Sequence, residues 1–64
     1  MKLKEIRESK NLTQSELADS VGVTQGVVSM WEIGLCKPAL DNIKKIAAAL
    51  GVTVDELLAD PEEK

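Results

Sequence analysis

Apolar residues recur along this chain of 64 residues at helical spacing, in five short segments separated by turn-forming residues. In the first segment, residues 2–10, the side chains of Leu3, Ile6 and Arg7 lie three and four positions apart. Residues at this spacing share one face of a helix, so the segment predicts an amphipathic helix. Asn11 follows it and can adopt the left-handed conformation that ends a helix. The pattern as a whole predicts a chain built from helices.

The second segment carries the sequence signature of a helix start. Thr13 and Glu16 form a T-x-x-E capping box, in which each side chain accepts a hydrogen bond from the backbone N–H of the other residue. Leu17 and Val21, four positions apart, then give this helix one apolar stripe. Gly22 has no Cβ and can take the left-handed conformation that ends the helix. We therefore predict a short helix that starts directly after Thr13 and stops at Gly22.

A third helix is predicted after a turn of only three residues. Thr24 suits its N-cap position, because the hydroxyl can accept a hydrogen bond from a free backbone N–H group. Val28 and Trp31 continue at helical spacing and form the inward stripe. Met30 and Ile33 then fall on the side that points away from the core. Two short helices joined by so tight a turn predict a helix-turn-helix whose second helix presents an outer face to another molecule.

Two more helices complete the predicted fold. Pro38 breaks the chain after the third helix. The apolar stripe of the fourth helix is formed by Leu40, Ile43, Ile46, Ala47 and Leu50. Thr53 and Glu56 form a second capping box, which starts a short fifth helix. We predict a compact all-α, five-helix bundle, with one domain over residues 1–60 and a short acidic tail over residues 61–64.

Several short motifs in this order resemble the phage-repressor Cro/CI type of helix-turn-helix domain, also called the XRE family. The motifs are Leu12-Thr13-Gln14, Leu17-Ala18, Gly22-Val23-Thr24-Gln25, Trp31-Glu32 and Ala49-Leu50-Gly51-Val52-Thr53. The resemblance implies a lambda-repressor-like bundle that binds a double-stranded DNA operator sequence-specifically. It also implies a small transcriptional regulator that represses by occlusion. Proteins of this family usually bind as homodimers through the region after the fourth helix, which makes Val52 and Leu58 the expected dimer contacts.

Composition limits the other functions that the chain could have. The chain has no His and a single Cys, Cys36, so it lacks a histidine base for a cysteine nucleophile and the ligands of most zinc sites. We therefore expect no enzyme activity, no cofactor and no metal. The chain has no apolar run of about 18 residues and no export signal, so we expect a cytoplasmic protein without a membrane segment.

Arg7 and Glu32 are two charged residues at positions that face the predicted core. A guanidinium is seldom buried without a partner, and a lone carboxylate is costly to bury. We therefore predict a buried ion pair between the two, which orients the first helix against the third. The Cro/CI resemblance implies the same pair. The alternative is that Arg7 extends to water and Glu32 is solvated.

The predicted base contacts lie near the start of the third helix, because the second helix of a helix-turn-helix places its N-terminal residues in the major groove. Gln25 is the first of them, and its amide can pair with the N6 and N7 atoms of adenine. The other predicted base contacts are Gly26, Val27, Ser29 and Met30, which offer close approach or an apolar contact with a thymine methyl group. The alternative for Gln25 is a solvated side chain.

The predicted contacts to the DNA backbone lie at the helix starts and just beyond the third helix. Gln14 resembles a phosphate-contacting glutamine of the Cro/CI family, at which the side chain and backbone N–H groups can act together. Thr13, which precedes it, is also a predicted backbone contact. Thr24, Ile33 and Lys37 are the other predicted backbone contacts. Simple helix initiation is the alternative for Gln14, and a solvated lysine is the alternative for Lys37.

The charge distribution keeps an alternative to DNA binding open. The net charge is −3, but residues 55–64 sum to −4, which leaves +1 for residues 1–54. The predicted recognition helix carries no Lys or Arg, and the apolar Met30, Ile33 and Leu35 lie on or beside its outer face. DNA binding relies strongly on basic side chains at phosphates, so this departs from the family pattern. The alternative is a protein-interaction module that keeps the fold and binds a protein partner through this apolar face.

Overall fold

The computed structural model describes residues 1–59, and in this part of the chain it contains five α-helices and no β-strand. Helix α1 spans Leu3–Ser9, α2 spans Gln14–Val21, α3 spans Gln25–Ile33, α4 spans Leu40–Leu50 and α5 spans Val54–Leu58. The predicted all-α fold and the order of its helices are confirmed. Helix α1 is one residue shorter at each end than the predicted segment.

Local hydrogen bonds explain where three of the helices begin. Thr13 Oγ1 accepts a hydrogen bond from the backbone N–H of Glu16 at 3.0 Å, and the Glu16 carboxylate accepts from the Thr13 N–H at 2.8 Å. Thr53 and Glu56 form the same reciprocal box at the start of α5. Thr24 Oγ1 accepts from the backbone three residues later, at 3.3 Å. These bonds satisfy N–H groups that have no partner inside their helices, so the sequence fixes these helix starts locally.

Two residues with positive φ end helices where the sequence predicted. Gly22 caps α2 with φ of 88°, in the left-handed region that a Cβ disfavours. Only residues 22–24 separate α2 from α3, which keeps the C-terminal end of α2 close to the N-terminal end of α3. Asn11 follows α1 with φ of 61°, and it is the only non-glycine residue with positive φ within residues 1–59.

The core lies between all five helices. Its buried apolar side chains are Leu3, Leu17, Ala18, Val21, Val28, Trp31, Ile46, Ala47, Leu50 and Leu57. Helix α2 packs against both α3 and α4, so it holds the centre of the bundle. The backbone N–H of Lys2 donates to the carbonyl of Leu57 at 2.9 Å, which ties the start of the chain to α5.

The prediction for one core residue is wrong. Leu40 was expected to join the inward stripe of α4, but 60% of it is exposed. Burial increases along this helix, from the half-buried Ile43 to the fully buried Ile46 and Leu50. The stripe therefore starts beyond the edge of the core, and the first turn of α4 protrudes from it. The predicted tail over residues 61–64 lies outside the described residues.

Candidate nucleic-acid interface

The N-terminal ends of α2 and α3 lie side by side, and a hydrogen bond joins the first residue of each helix. Gln25 Nε2 donates to Gln14 Oε1 at 3.2 Å. The first turns of both helices therefore lie close together, and each contains backbone N–H groups that have no partner within its own helix. Such ends carry partial positive charge and attract anions. The structure thus brings together the residue predicted to contact bases and the residue predicted to contact phosphate.

The Arg7–Glu32 pair lies directly behind this edge. Arg7 Nε donates to Glu32 Oε2 at 2.6 Å, and Arg7 Nη2 donates to Glu32 Oε1 at 3.3 Å. Only 2% of the Glu32 side chain is exposed. Arg7 Nη1 also donates to the carbonyl oxygen of Leu12 at 2.6 Å. One guanidinium therefore binds α1 to the chain segment before α2 and to the end of α3. The sequence predicted the pair with Glu32 but not the bond to Leu12.

Both charges of this pair are stabilised by the contact. The hydrogen bond to Glu32 raises the pKa of Arg7 above its ordinary value, against an opposing effect of burial. Burial acts to raise the pKa of Glu32, but the hydrogen bonds from Arg7 and Gln14 and the positive charges of Arg7 and Lys4 outweigh it, so that pKa lies below its ordinary value. Both groups are therefore ionised at neutral pH.

Gln14 connects the buried pair to the surface, which the sequence did not predict. Gln14 Nε2 donates to Glu32 Oε1 at 2.9 Å, while Gln14 Oε1 accepts from Gln25. An unbroken chain of hydrogen bonds therefore runs from Arg7 through Glu32 and Gln14 to Gln25. No sequence spacing signals it, because its members belong to three different helices. The only sign in the sequence was that both predicted helices of the motif begin with a glutamine, Gln14 and Gln25.

The outer face of α3 combines exposed apolar side chains with a glycine, which has no side chain. Ile33 is 68% exposed and Met30 is 38% exposed, as expected for residues that point away from the core. Gly26 is exposed, and a Cβ placed there would meet only Thr24 Oγ1, at 3.9 Å. The other two predicted base contacts, Val27 and Ser29, are half-buried, and Val27 packs against the core. They offer less surface to a ligand than the sequence suggested.

The remaining predicted backbone contacts occupy two places. Thr13 and Thr24 are exposed at the two adjoining helix starts, and each hydroxyl accepts a backbone hydrogen bond while its own proton stays free to donate. Lys37 is exposed in the segment between α3 and α4, where it lines a groove together with Met1 and Leu58. The structure thus groups Lys37 with the N-terminus and the end of α5.

Within residues 1–59, no group of three or more His, Cys, Asp or Glu side chains is placed to hold a metal ion. In the same residues, no helix has the length and apolar character needed to cross a membrane. Cys36 is exposed and forms no disulfide.

Comparisons with known proteins agree with this geometry. A family model described as helix-turn-helix matches residues 3–57. The transcriptional activator BcrR of Enterococcus faecalis is 41% identical over 61 residues, which are 95% of this chain and 30% of that protein. The cryptic phage CTXphi transcriptional repressor RstR of Vibrio cholerae is 33% identical over 61 residues, which are 95% of this chain and 55% of that protein.

Solved structures give the same result. The N-terminal DNA-binding domain of SinR from Bacillus subtilis superimposes with a TM-score of 0.84 at 33% identity, over 97% of this chain and 91% of that chain. The chain spans about half or less of the length of the two curated relatives described above. From the match over residues 3–57, this chain belongs to the XRE-type helix-turn-helix family, a non-enzymatic family of DNA-binding transcription regulators.

Proposed function

We propose that this chain binds double-stranded DNA sequence-specifically, as the DNA-reading domain of a transcriptional regulator. The observation that carries the proposal is the contact between Gln14 and Gln25 at the adjoining starts of α2 and α3. Helix N-termini attract phosphate groups, and the major groove, about 12 Å wide, admits one helix. With α2 against the phosphates, α3 can lie in the groove with its first residues at the base edges.

The proposed base contacts follow from exposure along α3. Gln25 is exposed and retains a free N–H and its carbonyl oxygen for a base. Gly26 lets a base or sugar approach the backbone closely, and Met30 offers an apolar surface to a thymine methyl group. Val27 and Ser29 contribute smaller contacts, since both are half-buried.

The proposed backbone contacts use neutral groups for the most part. Gln14, Thr13 and Thr24 offer amide and hydroxyl donors beside the free backbone N–H groups of two helices, and such neutral donors commonly bind phosphate oxygens. Ile33 contacts the sugar-phosphate chain through van der Waals packing, and Lys37 supplies a positive charge. Few charged contacts predict an affinity that depends only weakly on salt.

We further propose that two copies bind one operator. Leu58 is 45% exposed and lines a groove of about 240 Å³ together with Met1, Lys37, Pro38 and Ile43. An exposed leucine beside a largely apolar groove is typical of an interface. Val52, the other predicted contact, is half-buried against the core and offers less surface. Sedimentation of the parent and of Leu58→Asp, with and without operator, tests this: equal masses for both on DNA would contradict it.

The direction of regulation is also a proposal. BcrR is named an activator and RstR a repressor, so the family contains both. We propose repression in the cytoplasm, by occlusion of a promoter, as the resemblance to phage repressors implies and as the name of the phage repressor RstR supports.

Selection of bound duplexes from a random library tests the main proposal. Enrichment of a sequence with two-fold symmetry is the expected result, since two recognition helices enter successive major grooves about 34–36 Å apart. Failure to enrich any sequence, with protein shown to be folded by its circular dichroism, would contradict DNA reading.

One observation favours a second function. Ile33, the last residue of α3, is 68% exposed, and Leu35, just beyond the helix, is 71% exposed. Such a surface fits a protein-interaction module that binds a protein partner through this face. The two functions differ in the effect that positive charge at this face would have on binding.

A further inference from the structure

The hydrogen bonds behind the recognition helix have a direction. Glu32 is an ionised carboxylate that accepts from Arg7 and from Gln14, and an ionised carboxylate can only accept. The amide of Gln14 must therefore turn its NH₂ group inward. Its carbonyl oxygen then faces Gln25, whose own NH₂ group must turn toward it. The buried charge thus fixes the orientation of two amides in succession.

This direction determines what Gln25 can offer to a base. One N–H of Gln25 is used by Gln14 Oε1, so a single N–H and the whole carbonyl oxygen remain free. Adenine presents one acceptor, N7, and one donor, N6, in the major groove, whereas guanine presents two acceptors, N7 and O6. A glutamine with one free N–H and a free oxygen matches adenine. It cannot direct both of its N–H groups at guanine.

We propose that Glu32, without touching DNA, sets the preference of Gln25 for adenine over guanine by fixing the direction of the amide of Gln14. The inference rests on the proposed DNA binding and adds a specificity-determining role for two side chains, Glu32 and Gln14, that lie behind the base reader. Both are positioning residues in this role.

The sharpest test reverses the direction of these hydrogen bonds by replacing one carboxylate oxygen of Glu32 with an NH₂ group. In Glu32→Gln, the new amide must give its oxygen to the short bond from Arg7 Nε, because a guanidinium only donates, and the longer bond from Arg7 Nη2 is lost. Its NH₂ group then faces Gln14, which turns its oxygen inward and its NH₂ group toward Gln25. Gln25 accepts with its oxygen and presents both N–H groups outward. The preferred base opposite Gln25 is then guanine.

The measurement uses the duplex selected by the parent, with adenine or guanine at the one position where Gln25→Ala loses discrimination. We expect the parent to bind the adenine duplex at least about tenfold more tightly, and Glu32→Gln to equalise or reverse this ratio. Glu8→Gln is the matched control, because Glu8 also approaches Arg7, at 4.0 Å, but contacts neither glutamine. It should keep the parent ratio.

A second variant guards against misfolding of Glu32→Gln. Gln14→Met removes the hydrogen bonds between Glu32 and Gln25 and leaves the Arg7–Glu32 pair intact. The amide of Gln25 is then free to turn either way, so the ratio of affinities for the adenine and guanine duplexes should fall toward one. Loss of a phosphate contact alone would weaken both duplexes equally and leave the ratio unchanged. An unchanged ratio in Gln14→Met, or in folded Glu32→Gln, overturns the inference while the proposed function stands.

A measurement without DNA tests the direction of the hydrogen bonds independently of the proposed DNA binding. In nitrogen-15 NMR spectra, the side-chain NH₂ protons of Gln14 should exchange slowly with water in the parent and in Glu8→Gln, and faster in Glu32→Gln. A parent protein that selects no duplex overturns the proposed function and this inference with it. Equal exchange in all three proteins overturns the direction of the hydrogen bonds itself.

Discussion

At the residue scale, most of the polar contacts inside this domain converge on Glu32. Its side chain is almost fully buried and accepts hydrogen bonds from Arg7 and Gln14. Removal of one member of a buried ion pair leaves the other charge without a partner, which costs about 3–5 kcal/mol. For a domain of this size that is most of the free energy of unfolding.

We therefore expect Glu32→Ala to be mostly unfolded or strongly destabilised. The double variant Arg7→Met with Glu32→Leu should recover much of the loss, because it leaves no buried charge. Urea unfolding followed by the fluorescence of Trp31, which is 6% exposed, measures both. Parental stability in Glu32→Ala would contradict a stabilising pair.

Acid should weaken the same pair. The pKa of Glu32 is lowered in the folded protein, so the pair contributes stability at pH values above the ordinary pKa of 4.5 and loses it as the pH falls through the lower folded value. We expect the free energy of unfolding to fall more steeply below about pH 4.5 in the parent than in the Arg7→Met, Glu32→Leu variant. Parallel pH profiles would contradict the lowered pKa.

The base reader is tested by Gln25→Ala. A bidentate glutamine contributes roughly 1–3 kcal/mol against the wrong base, so discrimination should be lost at one base position and kept at the others. Stability should change little, because Gln25 is exposed. Binding to a panel of duplexes with single substitutions measures the loss. A variant that discriminates at every position as the parent does would remove Gln25 from the interface.

Individual residues were predictable where local spacing decides their environment. Arg7 and Glu32 fall on inward faces of helices whose periods the sequence shows, and neither could be buried alone. The link through Gln14 was not predictable, because it depends on the distance between the starts of two helices. That distance follows from the packing of the whole bundle. The half-burial of Val27 and Ser29 was not predictable for the same reason, because it also depends on how the helices pack.

At the element scale, replacing the two glycines near the turn with alanine should have opposite effects on stability. Gly22 has a positive φ, and a Cβ there meets nothing within 4 Å, so Gly22→Ala should cost about 1–2 kcal/mol through backbone strain alone. Gly26 lies inside α3 with ordinary helical geometry and space for a Cβ. Gly26→Ala should therefore stabilise the fold by about 0.5–1 kcal/mol.

The two variants together test why α3 contains a glycine. If DNA approaches the backbone closely at Gly26, the more stable Gly26→Ala should bind operator less tightly than the parent. Thermal unfolding and operator titration of both variants give the comparison. Tighter or equal binding by Gly26→Ala would show that nothing approaches closely there.

Helices with side-chain caps were the most predictable elements. Thr13, Thr24 and Thr53 mark their helix starts by bonds to residues three positions away, so no tertiary information was needed. Leu40 shows the limit of this reasoning. Its spacing matches the stripe of α4, but whether a stripe is covered at its end depends on neighbouring helices, and none covers the first turn of α4.

At the scale of the whole molecule, charge separates the two candidate functions. Helix α3 carries no positive residue, and Met30 and Ile33 occupy its outer face. If this face lies against DNA, Met30→Lys with Ile33→Lys should raise affinity and steepen the salt dependence by about 0.9 per phosphate newly contacted. Sequence preference should weaken. If the face binds a protein, two unpaired ammonium groups there should abolish the complex.

Titration of a selected duplex across salt concentrations decides between them. Ser20→Lys with Ala48→Lys is a matched control, because it adds the same charge at exposed positions outside α3. A salt slope in the α3 variant equal to that of the control would mean that this face does not lie against DNA.

The length of α3 limits how much information one copy of the domain can read. Nine residues at 1.5 Å each make a helix of about 13.5 Å, which spans about four base pairs. Four fully read positions distinguish only about 256 sequences. A genome offers on the order of 10⁶ or more competing sites, so one helix would bind thousands of sites equally well. A second recognition helix, supplied by the second copy proposed above, would double the reading length to eight positions and raise the number of distinguishable sequences to about 65,000. Its main contribution would then be to the selection of the operator rather than to affinity.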